Sequence, residues 1–148
     1  MRLPTTVRYA TRAMTELATA YPGHPVSVRE VGEQLRISPK YLEHIFRALK
    51  AAGLVQAVHG KQGGYALARS PGNITLKDLY ENLAGTLAPV HCVDHPDSCP
   101  RLDDCPTRET WVEVKDAIER VLERTTIQDL LERKRRKAMI SPEPMYYL

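Results

Sequence analysis

Between Thr5 and Tyr21 apolar residues recur three and four apart, at Val7, Ala10, Ala13, Met14, Leu17 and Ala18. That spacing lays one stripe along a helix and predicts an amphipathic segment, stopped by Tyr21-Pro22-Gly23-His24-Pro25. Val28, Val31 and Leu35 give a second, shorter helix with its inner face defined. After a tight turn at Arg36-Ile37 the chain restarts with Ser38 as N-cap and Pro39 at the first helical position. Leu42, Ile45, Phe46 and Leu49 then mark the buried side of a helix running to about Ala52, which Gly53 closes. Helix, short turn, helix is the arrangement in which the second helix can enter a DNA major groove.

The period changes after Gly53. Leu54 to Val58 and Tyr65 to Ala68 alternate weakly, as two short strands would, and His59-Gly60-Lys61-Gln62-Gly63-Gly64 joins them. Glycines at such a tip permit positive φ and close approach of the backbone to a partner. Directly after a helix-turn-helix, this hairpin reads as a wing with basic residues on its edge. Thr75-Leu76-Lys77-Asp78 forms a capping box for a short helix to about Leu83. A long helix from Thr107 to about Leu122 carries Trp111, Val114, Ile118 and Val121 or Leu122 at heptad-like spacing. Thr126 to Asp129 caps one more helical turn with Leu130 and Leu131, and residues 138–148 read as a flexible tail.

The resulting class is mainly α with a small β wing. It divides into a winged head over residues 1–84, a loop over 85–106, and a helical part over 107–137 that pairs with a second copy. A stripe from Trp111 to Leu122 would otherwise face water. With 148 residues, 43% of them hydrophobic, the chain is long enough for one such unit.

Charge sharpens the picture. Residues 1–70 hold ten Lys/Arg against four Asp/Glu, while 71–148 hold eleven against fourteen. A basic half joined to an acidic half suits a reader of double-stranded DNA with a separate sensing part. No apolar run has signal-peptide or membrane-spanning character, which points to the cytoplasm.

The three cysteines all fall in the 85–106 loop, as Cys92, Cys99 and Cys105. The residues between them are too polar and proline-broken for a helix or buried strand. In a chain without secretion signals, an odd number of thiols in a loop argues against disulfides. Soft thiolates suit Zn²⁺ or iron–sulfur clusters, and a purely thiol-based sensor is the remaining option. Structural zinc usually brings paired C-x2-C hooks, which are absent here. The chain also lacks a base–nucleophile pair and a phosphate-cradling loop, so an enzyme is disfavoured.

The order of Met1-Arg2-Leu3, Arg8-Tyr9-Ala10, Ile37-Ser38-x-x-Tyr41-Leu42-Glu43, Gly53-Leu54-Val55 and Gly60-x-x-Gly63-Gly64-Tyr65, with a cysteine trio before Trp111, resembles the Rrf family of winged-helix repressors. That family includes the IscR and NsrR iron–sulfur regulators. The resemblance implies a homodimer on a partly palindromic operator, one cluster per subunit, and Cys92, Cys99 and Cys105 as its ligands. It also exposes departures. IscR-like members place a histidine three residues after the last cysteine, where this chain has Arg108. Others take an acidic residue or histidine from the partner's first helix, where this chain has Arg8 and Arg12. Arginine offers no lone pair to a metal. The fourth ligand is therefore open, with His91 the leading side-chain candidate and an exogenous ligand its rival.

On the DNA side, Lys40, Glu43, His44 and Arg47 are placed to meet base edges, where Arg reads guanine and Glu accepts from cytosine. Ser38 and Tyr41 suit phosphate, and His59 and Lys61 suit the minor groove or its phosphates. Family members often carry arginine at the position of His59, so this wing holds less fixed positive charge. The expected function is repression set by an iron–sulfur cluster, of two or four irons, whose gain or loss reorders the 92–105 loop and shifts the heads. The alternative is a thiol- or zinc-based winged-helix regulator.

Overall fold

The computed structural model describes residues 2–140. Its helices and strands run α1 (Thr5–Thr19), α2 (Val28–Leu35), α3 (Pro39–Ala51), β1 (Val55–Val58), β2 (Gly64–Leu67), α4 (Leu76–Ala84), α5 (His91–Asp94), α6 (Arg108–Arg124) and α7 (Ile127–Ile140). The tail from Ser141 to Leu148 lies outside the described residues.

The apolar stripes read from the sequence meet in one core. Ala10, Ala13 and Met14 of α1, Val31 of α2, and Leu42, Ile45, Phe46 and Leu49 of α3 are fully buried. Leu54, Leu67, Ile74, Leu79, Ile127 and Leu131 close the same cluster. Ser27 caps α2 in a full capping box with Glu30, and Ser38 accepts a hydrogen bond from the Tyr41 amide at 3.2 Å to start α3. Between them Arg36 turns the chain at φ 54°, the left-handed conformation. The turn packs tightly against α2: a Cβ on Gly32 would lie 2.9 Å from the Ile37 carbonyl oxygen. Only glycine lets the two helices approach this closely.

β1 and β2 form an antiparallel hairpin with Val55 opposite Leu67 and Val58 opposite Gly64. Its loop end is anchored twice. Tyr65 exchanges two 2.9 Å backbone hydrogen bonds with Val26, and its ring stacks on Phe46 with centroids 4.5 Å apart. The second strand starts at Gly64, one residue earlier than the alternation suggests, because Gly64 pairs with Val58 across the hairpin.

Two differences from the sequence expectation concern the second half. The cysteine loop is not wholly irregular. His91 to Asp94 make one helical turn, closed by His95 N–H to His91 O at 3.0 Å, and single 3₁₀ turns follow at Pro96–Ser98 and Leu102–Asp104. Proline at position 96 ends the first turn and starts the next, so the breaker shapes short helices instead of excluding them. The last helix is also longer than one turn, running fourteen residues and including positions 138–140. Thr126 and Asp129 cap it reciprocally, and Ile127 and Leu131 dock it into the head core. Its start is clipped to the start of α4 by Leu76 N–H to Thr125 O and Ile127 N–H to Ile74 O, both 2.9 Å.

α6 stands apart from that core, with no fully buried residue. Lys77 of α4 reaches Glu119 at 3.6 Å and Glu123 at 4.0 Å, holding the helix beside α4. Trp111 and Val121 stay exposed on it. No helix among the described residues is long and apolar enough to cross a membrane.

Candidate nucleic-acid interface and cysteine loop

The buried face of α3 dictates what its other face offers. With Leu42, Ile45, Phe46 and Leu49 turned inward, Lys40, Glu43, His44 and Arg47 all project into solvent. Ser38 is exposed as well, although its hydroxyl already caps the helix. Tyr41 is half-buried: its hydroxyl pairs with Thr6 at 3.2 Å and its ring meets Tyr9 edge-on at 5.8 Å. That tyrosine ties the recognition helix to α1, a role the sequence did not announce. His44 stacks over it at 6.5 Å. On the wing, His59 and Lys61 are exposed on either side of Gly60. The structure therefore gathers seven of the eight proposed DNA residues on open surface and places the eighth, Tyr41, at a helix junction.

The cysteine loop joins this head to α6. Cys92, Cys99 and Cys105 are free and half-buried. Among the described residues no three His, Cys, Asp or Glu side chains stand together as a ready metal-holding set. Three free thiols on one loop nonetheless match the soft donors that iron–sulfur clusters take. Cys105 is the best prepared of them. Its thiol lies 3.4 Å from the Thr107 hydroxyl, and this contact, backbone N–H groups of Thr107 and Arg108, and the Arg108 charge hold its pKa below the ordinary thiol value. His91 is exposed and stacks on His95 with centroids 4.4 Å apart.

The arginines flagged from the sequence have structural partners. Arg8 and Arg12 flank the Tyr9 ring at 5.9 and 6.0 Å. Arg108, the first residue of α6, donates through Nε to the Cys92 carbonyl at 3.4 Å. A stronger link lies two turns along α6. Lys115 Nζ donates to Asp94 Oδ1 at 2.7 Å, and the other Asp94 oxygen accepts from the Thr86 hydroxyl. The Lys115 hydrogen bond is the main cause holding the Asp94 carboxyl below its usual range, and in return the Lys115 pKa is raised. No motif or period in the sequence marks Asp94, Thr86 and Lys115 as partners. Lys115 shares a face with Arg108 and Trp111 at helical spacing, but nothing local couples it to a residue 21 positions earlier.

Residues 3–133 match the family profile described as "Rrf2: Iron-dependent Transcriptional regulator". The protein Rrf2 of Nitratidesulfovibrio vulgaris is 37% identical over 131 residues, covering 88% of this chain and 87% of that protein. Two solved structures superpose with a TM-score of 0.77. One is CymR, the global cysteine regulator of Bacillus subtilis, at 33% identity over 89% of this chain and 97% of that one. The other is IscR of T. potens, at 34% identity over 99% of this chain and 97% of that one.

Proposed function

Because the chain belongs to the Rrf2 family of transcriptional regulators, and so is a DNA-binding winged-helix regulator and not an enzyme, we propose that it is a dimeric repressor whose operator affinity follows an iron–sulfur cluster held by Cys92, Cys99 and Cys105. The observation that carries this reading is the placement of three free thiols on the single loop between the head and α6. Likeness to IscR and the family description supports iron; likeness to CymR does not.

On the head, Arg47, Glu43, His44 and Lys40 read base edges from α3, while Ser38, Tyr41 and the wing residues His59 and Lys61 meet phosphates or the minor groove. On the loop, Cys105 contributes a thiol already biased toward thiolate, the form that binds metal. Cys92 and Cys99 complete the thiol set, and His91, which adjoins Cys92 in the sequence, is the leading imidazole candidate. A bound cluster would supply a centre sensitive to redox state and to outside ligands. The exposed face of α6, from Trp111 to Val121, pairs with a second copy, so that a palindromic operator is matched by a two-fold assembly.

Anaerobically purified protein tests the reading. Broad visible absorption with protein-bound iron and sulfide, lost in Cys92→Ala, Cys99→Ala or Cys105→Ala, is the expected result. Colourless protein with one zinc per subunit refutes it. A second reading is favoured by the thiolate bias at Cys105: a metal-free thiol switch. It predicts colourless protein whose operator binding changes on mild oxidation and stops changing in Cys105→Ser.

A further inference from the structure

The loop is fastened unevenly. Its first arm, α5 with Cys92, is tied to α6 at two heights: Arg108 holds the Cys92 carbonyl, and Lys115 holds Asp94. The Asp94 and Lys115 side chains are 22% and 25% exposed, so the pair is partly shielded from water. Thr86 bonds the same carboxylate from the segment after α4, closing a three-way junction between head, cysteine arm and α6. Residues 96–104 differ. The backbone hydrogen bonds there close within three residues: Ser98 to His95, Cys99 to Pro96, Leu102 to Cys99, and Asp104 to Arg101. Two cysteines are thus fixed to the first turns of α6, Cys92 through its arm and Cys105 through Thr107, and Cys99 hangs on locally bonded chain between them.

We propose that Asp94 and Lys115 are positioning residues that lock the Cys92 arm onto α6, so that occupancy of the cysteine loop is felt along the pairing helix. The inference deepens the cluster reading and rests on it for what occupies the loop; the lock itself rests on the contacts of Asp94 with Lys115 and Thr86. Its chemistry is a charge-assisted hydrogen bond between elements that share no core residues, since α6 has no buried side chain and α5 none either. Asp94 is engaged by Lys115 and Thr86, and its task is to fix where Cys92 sits relative to Trp111 and the rest of the α6 face.

Hydrogen exchange read by mass spectrometry tests this on the full chain. In cluster-free protein, Lys115→Met and Asp94→Asn should raise exchange across residues 91–95 by about three- to five-fold, the factor a partly exposed ion pair supports, and Lys115→Arg should leave it near wild type. In cluster-loaded protein the two disrupting variants should keep the visible absorption while losing the loading-dependent change in protection across residues 108–118 of α6. Unchanged exchange at 91–95 in both variants overturns the lock. An intact loading response in α6 despite faster exchange at 91–95 overturns the coupling. If wild type takes up no cluster, the functional reading fails, and the cluster-free comparison still decides the lock by itself.

Discussion

α7 makes the sharpest test of how this molecule is divided. Ile127 is fully buried and Leu131 almost so, both inside the cluster built by α1 and α3. If α7 were only an appendage of α6, losing its anchor would leave the head intact. Burial says otherwise. Truncating a fully buried isoleucine to alanine costs about 2–5 kcal/mol through lost transfer energy and the cavity left behind. For a chain of this size each kcal/mol lowers the midpoint by roughly 2–4 °C. Ile127→Ala should therefore melt about 6–12 °C below wild type for a loss near 3 kcal/mol. Met139 supplies the control in the same helix, being 87% exposed; Met139→Ala should stay within about 0.5 kcal/mol. The assay is thermal unfolding followed by circular dichroism, with urea titration to confirm an unchanged slope. A shift for Ile127→Ala no larger than for Met139→Ala refutes the reasoning, as does a single-phase melt at the wild-type midpoint after removal of everything beyond Thr125.

Two further outcomes follow from the site. Arg47→Ala should weaken operator binding by about 1–3 kcal/mol while changing affinity for random DNA much less; equal losses on both, measured by fluorescence anisotropy at fixed salt, would reduce Arg47 to a phosphate contact. Because Thr107 and the start of α6 hold the Cys105 pKa down, this thiol should stay reactive toward iodoacetamide as pH falls below the ordinary thiol value, where free cysteine slows; a pH profile of Cys105 alkylation that matches free cysteine refutes the thiolate bias.

The head was legible because its buried residues repeat. Leu42, Ile45, Phe46 and Leu49 announce both the existence of α3 and the face it buries, and that face fixes Lys40, Glu43, His44 and Arg47 outward. α7 was read short for the opposite reason. After Leu131 the sequence is Glu132-Arg133-Lys134-Arg135-Arg136-Lys137, with no apolar period to count. Those turns persist on an anchored start, on Gln128 bonding Glu132 at 3.2 Å, and on Lys134 reaching Glu16 of α1. In the loop, the three thiols were plain from composition, whereas the turn at His91–Asp94 depends on its docking against α6. The Asp94–Lys115 pair and the Tyr41–Thr6 bond are tertiary: each joins residues that no local period relates. Polar contacts between distant segments leave no trace in hydrophobic patterning, and here they are what connects the parts.

The double anchoring of Tyr65 has a consequence for how such a head meets a duplex. With its ring on Phe46 and its backbone on Val26, the loop end of the hairpin is built into the same packing that seats α3. Wing tip and recognition helix therefore move as one body, like the two fixed jaws of a gauge. A signal cannot open or narrow that span without breaking the core. In the dimer proposed above, control of binding acts between gauges, by setting the distance and phase at which two of them meet successive turns of the same DNA.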